Sequence, residues 1–326
     1  MEIRVRPDIT GQRDYLVTLA ERGYAVIGGV LDPATVLDPI LDAMARRLGS
    51  WARKQVSREM LPRTFEAWSL EHRLIEFVRR GIPGVAQALD ISLPQGGIRS
   101  DTPMLLAEEI FALLSAPPLL DILQPLLGEE IWLSPVGHTR LKVPGNIAPE
   151  ANGLLGHVPW HQDNGVLLAE ADDIDIITVW IPLVDVAETT GCLQVIPTRR
   201  EHALIPHCPG RGGVAIPAGQ LPGGTPAPVP MRRGSVLLMH SRTVHSSLPN
   251  DTPDRVRLSL DLRYQSVPVP TGRPVFPSLL LRGQRRGIQV AQWESWRAAW
   301  LAARDRLAGQ ELGKLNRWDP GAAMCA

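Results

Sequence analysis

Cysteine is scarce in this chain, with only Cys192, Cys208 and Cys325 among 326 residues and no C-x-x-C spacing. That excludes a zinc knuckle and argues against a disulfide framework, so a reducing compartment is expected. Neither charge dominates. Lys plus Arg and Asp plus Glu number 34 each, so no basic face for nucleic acid and no polybasic membrane tether is expected. Nowhere do eighteen apolar residues run together, and Met1-Glu2-Ile3-Arg4-Val5-Arg6 lacks the apolar stretch of a signal peptide. The expectation is a cytoplasmic protein whose partner is a small molecule. No internal repeat is visible.

Proline and glycine are plentiful, at 30 and 29 residues, and several crowd into 206–230. Hydrophobic residues make up 44% of the chain, ample for a core. Periodicity places helices over 11–22, 32–48, 64–79, 105–114, 118–127 and 290–307, with Asp32 as N-cap and Pro33 at the first position of the second. A short strand is read at 24–27. Later the pattern turns to short β-rich runs over 130–136, 138–143, 174–181, 192–196, 234–240 and 255–264. Helices first and strands later, without βαβ alternation, predicts a mainly β fold, a jelly-roll core buttressed by α-helices. A single domain over 1–326 is expected, since barrels with insertions reach this length. Residues 49–103 read as a helical insertion or lid, and 285–326 as a C-terminal helical extension. Trp293, Trp296 and Trp300 fall on one helical face and are expected to strap that helix to the sheet.

The chemistry concentrates in Pro159-Trp160-His161-Gln162-Asp163-Asn164-Gly165. On an extended segment, residues two apart share a side, so the His161 imidazole and the Asp163 carboxylate can face one metal. A distant histidine would complete the two-His, one-carboxylate set that holds Fe(II) and leaves positions open. His245 is the first candidate and His240 the other. The run from Arg255 to Tyr264 alternates an apolar face with a face of Arg255, Arg257, Ser259, Asp261 and Arg263. That polar face either meets solvent or lines a barrel interior, where an arginine could grip a ligand carboxylate through two parallel hydrogen bonds.

Together with Val179-Trp180-Ile181-Pro182-Leu183, Thr190-Gly191-Cys192-Leu193-Gln194-Val195-Ile196-Pro197, Val244-His245-Ser246-Ser247, Arg257-Leu258-Ser259 and the early Arg22-Gly23-Tyr24-Ala25-Val26-Ile27, the His161-Gln162-Asp163 segment resembles the phytanoyl-CoA dioxygenase family of Fe(II)- and 2-oxoglutarate-dependent oxygenases. The resemblance is strong over 130–265 and weak over 49–103. It implies a double-stranded β-helix, with His161, Asp163 and His245 as iron ligands. It favours His245 over His240 because the family places a Ser-Ser-x-Pro-Asn turn after its distal histidine. Arg257 would hold the distal carboxylate of 2-oxoglutarate, with Ser259 as the accompanying hydroxyl. Trp180, Thr139 and Lys142 are further candidates for contact with that cosubstrate.

The implied activity is hydroxylation of an unactivated C–H in a small metabolite or natural-product intermediate, with O2 as co-reactant. No catalytic side chain beyond the metal centre is expected. Desaturation, ring closure or epimerisation would use the same residues, and a jelly-roll binding protein without turnover is the reading from another class. Asp163 itself favours oxygen insertion, since halide-transferring relatives carry a small residue there. The chain departs from its relatives after Ile196-Pro197, where Gly-Ser-His is usual and Thr198-Arg199-Arg200-Glu201-His202 stands here. His157 is read as lying beside the site, and His202 and His207 as surface residues.

Overall fold

The structure, a computed structural model, describes residues 14–151, 153–199, 202–210 and 213–325. In chain order its strands are β1 (Tyr24–Ile27), β2 (Ile131–Leu133), β3 (His138–Lys142), β4 (Ile176–Pro182), β5 (Leu193–Ile196), β6 (Cys208–Gly210), β7 (Gly213–Ala215), β8 (Ala227–Val229), β9 (Val236–His240), β10 (Val244–Ser247), β11 (Arg257–Gln265) and β12 (Leu279–Arg282). Its helices are α1 (Asp14–Arg22), α2 (Asp38–Ser57), α3 (Leu70–Arg79), α4 (Val85–Leu89), α5 (Glu108–Leu114), α6 (Pro117–Leu127) and α7 (Trp293–Leu307). The start of the helix expected at 11–22, and Arg200 and Glu201 of the departing loop, lie outside the described residues.

The larger sheet runs β1-β9-β4-β11-β2-β12, with β3 also paired to β11, and every pairing is antiparallel. The smaller sheet runs β10-β5-β8. Alternation along β11 explains the layering. Leu258, Leu260, Leu262 and Tyr264 join Val179, Ile181 and Leu238 in one core with Leu19, Leu37, Ile40, Met44 and Leu123 of the helices. Each fully buried side chain of this kind contributes about 1.5–3 kcal/mol, and Tyr264 satisfies its hydroxyl by donating to the Leu114 carbonyl at 2.9 Å. Trp180, Leu237 and Met239 point the other way and pack against Leu193, Val195 and Val229 of the smaller sheet. The polar face of β11 therefore lies inside the barrel, so the solvent reading of that face is wrong.

Asp32 caps as expected, accepting from the Thr35 N–H at 2.7 Å with Pro33 following. The helix it opens begins as one π-helical turn over Pro33–Leu37 and then continues through Gly49 to Ser57, because the buried stripe carries on through Leu48, Trp51, Ala52 and Gln55. The next helix starts at Leu70 rather than 64. Ser69 is its cap, and Phe65 takes a positive φ of 57° that no helix interior accommodates. One stretch, Glu108–Leu127, is apolar and long enough to cross a membrane by length and composition, but it is divided at Ser115-Ala116 into α5 and α6, whose apolar faces are buried. The tryptophan face of α7 packs on the helical layer rather than on the sheet. Trp296 meets Phe111 at 5.8 Å between ring centroids, and Trp293 Nε1 donates to the Leu106 carbonyl at 3.0 Å.

The cysteines correct the sequence reading. Cys208 and Cys325 form a disulfide and Cys192 is buried and free. A spacing of 117 residues carries no motif, so only the fold brings the two together. The pairing is at odds with the reducing compartment inferred from the scarcity of cysteine.

Candidate metal centre

His161 and His245 face each other across an antiparallel bridge, each backbone N–H donating to the other's carbonyl at 3.0 Å. Gln162 is extended, at φ −113° and ψ 139°, and the chain then enters a 3-10 turn at Asp163. The i, i+2 relation therefore holds across one extended residue, and both side chains point to the same side. His161, Asp163 and His245 offer ligand atoms that all lie within 4.8 Å of one another, and all three residues are buried. His161 Nδ1 lies 2.9 Å from the Pro159 carbonyl and His245 Nδ1 3.0 Å from that of Thr243. Each carbonyl requires Nδ1–H, which leaves the Nε2 lone pairs for a metal. Burial holds the His245 imidazole down at about 4, so it is neutral near pH 7.

Thr178 Oγ1 donates to one oxygen of Asp163 and an Arg263 Nη donates to the other. Burial alone would raise this carboxyl, but Arg263, then His245 and His161, hold it well below the usual range. Arg263 and Thr178 stand directly opposite each other in the β11–β4 register, which is why both reach one carboxylate. The second Nη of Arg263 pairs with Asp261 at 3.1 Å, and Arg140 takes the other Asp261 oxygen at 3.1 Å. Buried charges thus alternate in sign along the barrel floor.

Arg257 is 1% exposed, and among the described residues its Nε and Nη1 have no hydrogen-bond partner; nor does the hydroxyl of Ser259 on the same face. The guanidinium lies 5.5 Å from the Trp180 ring centroid. Burial pulls it down to about 10, still charged at neutral pH. Lys142 is opposite Arg257 in register, and burial, reinforced by Arg257, lowers it to about 6. Its Nζ donates to Ser247 Oγ at 2.6 Å and to the Leu248 carbonyl. Thr139 pairs with Leu260, so it takes the helix-facing side of the sheet. It is turned away from Arg257, contrary to expectation.

His240 sits opposite Ile177, on the face away from Thr178, and is not one of the converging three. His157 is exposed and His202 half-buried. His207 is not a surface residue but is 1% exposed, and it braces the metal segment. Its Nδ1–H donates to the Ile205 carbonyl at 2.7 Å, and its Nε2 accepts the backbone N–H of Gln162 at 2.9 Å. The Gln162 side chain in turn accepts from Ile205 N and donates to the carbonyls of Ala203 and Arg242. Beyond it, Trp318 stacks on His207 at 5.3 Å and donates to the Gly165 carbonyl at 2.6 Å, while Arg317 donates to the Leu167 carbonyl at 3.1 Å and pairs with Asp172 at 2.5 Å. The C-terminal segment is therefore a strap over the metal loop.

A cavity of about 290 Å³ opens beside His161 and Arg263. Gln87 and Gln95 line it from the helical segment, and Gly213 and Val214 from the Pro/Gly-rich segment.

A family model described as Phytanoyl-CoA dioxygenase (PhyH) matches residues 19–258, more than half of the chain. No curated protein matches it. Among solved structures, the non-heme monooxygenase ThoJ in its apo form is 16% identical, aligned over 90% of this chain and 96% of that one with a TM-score of 0.56. The nickel complex of ThoJ is 14% identical, aligned over 90% and 98%, with a TM-score of 0.50. The epimerase SnoN, described as non-heme and alpha-ketoglutarate-dependent and from nogalamycin biosynthesis, aligns at 20% identity over 80% and 86% with a TM-score of 0.46. The likeness to ThoJ is one of fold.

Proposed function

The chain belongs to the phytanoyl-CoA dioxygenase family, and on that premise we propose that it is an Fe(II)- and 2-oxoglutarate-dependent oxygenase acting on a C–H bond of a small molecule. His161, Asp163 and His245 hold the metal, and Arg257 with Ser259 holds the distal carboxylate of 2-oxoglutarate. One observation carries the reading. Two imidazoles whose Nδ1 atoms are taken up by backbone carbonyls converge with one carboxylate in a barrel that also buries Arg257 Nε and Nη1 and the Ser259 hydroxyl without a partner among the described residues. A buried cation of that kind is costly unless an anion meets it, and a planar fork suits a carboxylate.

When bound, iron and 2-oxoglutarate supply O2 activation coupled to oxidative decarboxylation of the keto acid. The chain's own work is electrostatic and positional. Thr178 and Arg263 fix the orientation of Asp163, the two carbonyls fix the histidine tautomers, and His207 fixes the backbone between the first two ligands. Trp180 walls the Arg257 side of the barrel. Lys142, neutral at pH 7 and tied to Ser247 and Leu248, supports the strand ends beside Arg257 rather than gripping the cosubstrate. The retained carboxylate favours hydroxylation, while desaturation, ring closure and epimerisation would call on the same residues.

Residues 49–103 and 206–230 act as the substrate-selecting cover, a role supported by the lining of the cavity beside His161. The test is an anaerobic titration of the protein with Fe(II) and 2-oxoglutarate, following the weak visible charge-transfer band of the chelate. Its appearance is expected; its absence in folded protein would remove the oxygenase reading.

A further inference from the structure

His138 lines the same cavity as His161, from the inward face of β3. Its Nδ1 lies 2.9 Å from Asp90 Oδ2 and 3.0 Å from Ser92 Oγ. Asp90 is 1% exposed, and its other oxygen accepts the backbone N–H groups of Ile91 at 2.8 Å and Thr139 at 2.9 Å. A carboxylate pinned in this way holds the imidazole as the Nδ1–H tautomer and leaves the Nε2 lone pair as an acceptor. Among the described residues no hydrogen bond reaches that Nε2. Two residues along, Arg140 also lines the cavity, and its Nε and Nη2 are turned to Asp261 at 3.4 and 3.1 Å. Nη1 remains as a donor. The cavity wall thus presents an acceptor and a donor side by side, and the Arg140 charge is already met by Asp261.

We infer that His138 and Arg140 form a substrate-binding pair for a molecule bearing a hydroxyl next to a second oxygen, such as a vicinal diol or a hydroxy ether. His138 Nε2 accepts the hydroxyl hydrogen, Arg140 Nη1 donates to the neighbouring oxygen, and Asp90 is a positioning residue that acts through His138. The inference rests on the cavity beside His161 being the substrate site of the proposed oxygenase. A merely structural Asp90 would need its two backbone bonds, of which the one from Thr139 ties the 85–103 segment to β3. It would not need to aim an imidazole into the cavity.

The probes are cis-cyclohexane-1,2-diol and its dimethyl ether, titrated anaerobically into the protein loaded with Fe(II) and 2-oxoglutarate, with binding read from the shift of the chelate band. The diol is expected to bind about tenfold more tightly than the ether, the worth of one or two good hydrogen bonds. His138→Phe should abolish that preference while leaving the band and the thermal melt intact. His138→Gln, which keeps an acceptor oxygen, should restore part of it. Should His138→Phe fail to fold, His138→Asn replaces it with the same expected loss. Asp90→Asn should weaken diol binding without altering ether binding. If no chelate band forms at all, the metal-site reading fails and takes this one with it. A normal band with equal binding of diol and ether, or an unchanged preference in His138→Phe, overturns this inference alone.

Discussion

Arg257 and Lys142 stand opposite each other in register but differ in their partners. Lys142 donates to Ser247 and Leu248, whereas Nε and Nη1 of Arg257 find no acceptor among the described residues. Arg257→Lys keeps a cation but loses the fork, so 2-oxoglutarate affinity should fall by roughly 2 kcal/mol, about thirtyfold, by titration of the chelate band. Arg255 is the control, since it is exposed and faces Glu71; an equal loss in Arg255→Lys would contradict the assignment. A second expectation concerns pH. His207 and His245 are both held at about 4 by burial, below the ordinary histidine value. Between about 6.5 and 4 the unfolded chain takes up protons that the folded chain refuses. Their contribution is therefore complete above about 6.5 and declines as pH falls towards 4, by on the order of 3 kcal/mol each. Denaturant melts of the metal-free protein at pH 7 and 4.5 measure this, and His207→Gln should flatten the dependence; equal stability at both pH values would contradict it. The H-x-D pair was legible in the sequence because strand geometry acts over two residues. Arg263, Thr178 and His207 were not, because their aim depends on the β11–β4 register and on a loop 45 residues from Gln162.

Among the elements, β11 was legible as alternation but not as to which medium its polar face meets. A strand with neighbours on both edges and layers on both faces buries every residue, and all nine of β11 are buried. The helix expected to end at 48 runs on to Ser57, because its apolar stripe continues past Gly49 through Trp51 and Ala52. The 3-10 turn Asp163–Val166 has its own steric rule. A Cβ on Gly165 would sit 2.4 Å from the His207 ring, so the glycine is required by close approach. Gly165→Ala should displace His207, lower stability by about 1–3 kcal/mol and weaken Fe(II) binding, read by melt and metal titration. An unchanged metal affinity would show that His207 does not position the loop. The strap allows a parallel test. Cys325→Ser, or reduction of the pair with Cys208, should cost about 2–4 kcal/mol of stability and loosen the loop that Trp318 and Arg317 hold. A melt insensitive to reductant would contradict it.

At the scale of the whole molecule, the order of helices and strands was enough to indicate a jelly-roll core with a helical layer, since each run of apolar periodicity needs a partner surface. What lines the cavity was harder to read, because Gln87 and Gln95 reach it together with Gly213 and Val214 only through tertiary packing. Gln95 is exposed at its rim. Gln95→Trp should narrow access and raise the KM for substrate about tenfold, while succinate formation without substrate stays unchanged; equal loss of both would place Gln95 in the metal machinery instead. The strap has a consequence in time. Trp318 follows Gly165 by 153 residues, and a ribosome delivers the chain in order at roughly 5–20 residues per second, with earlier parts folding first. His161, Asp163 and His245 have all emerged before the segment that braces their loop. For on the order of ten seconds each newborn molecule carries its ligand set in a loop that His207 alone can brace, until Trp318 and Arg317 emerge to close over it.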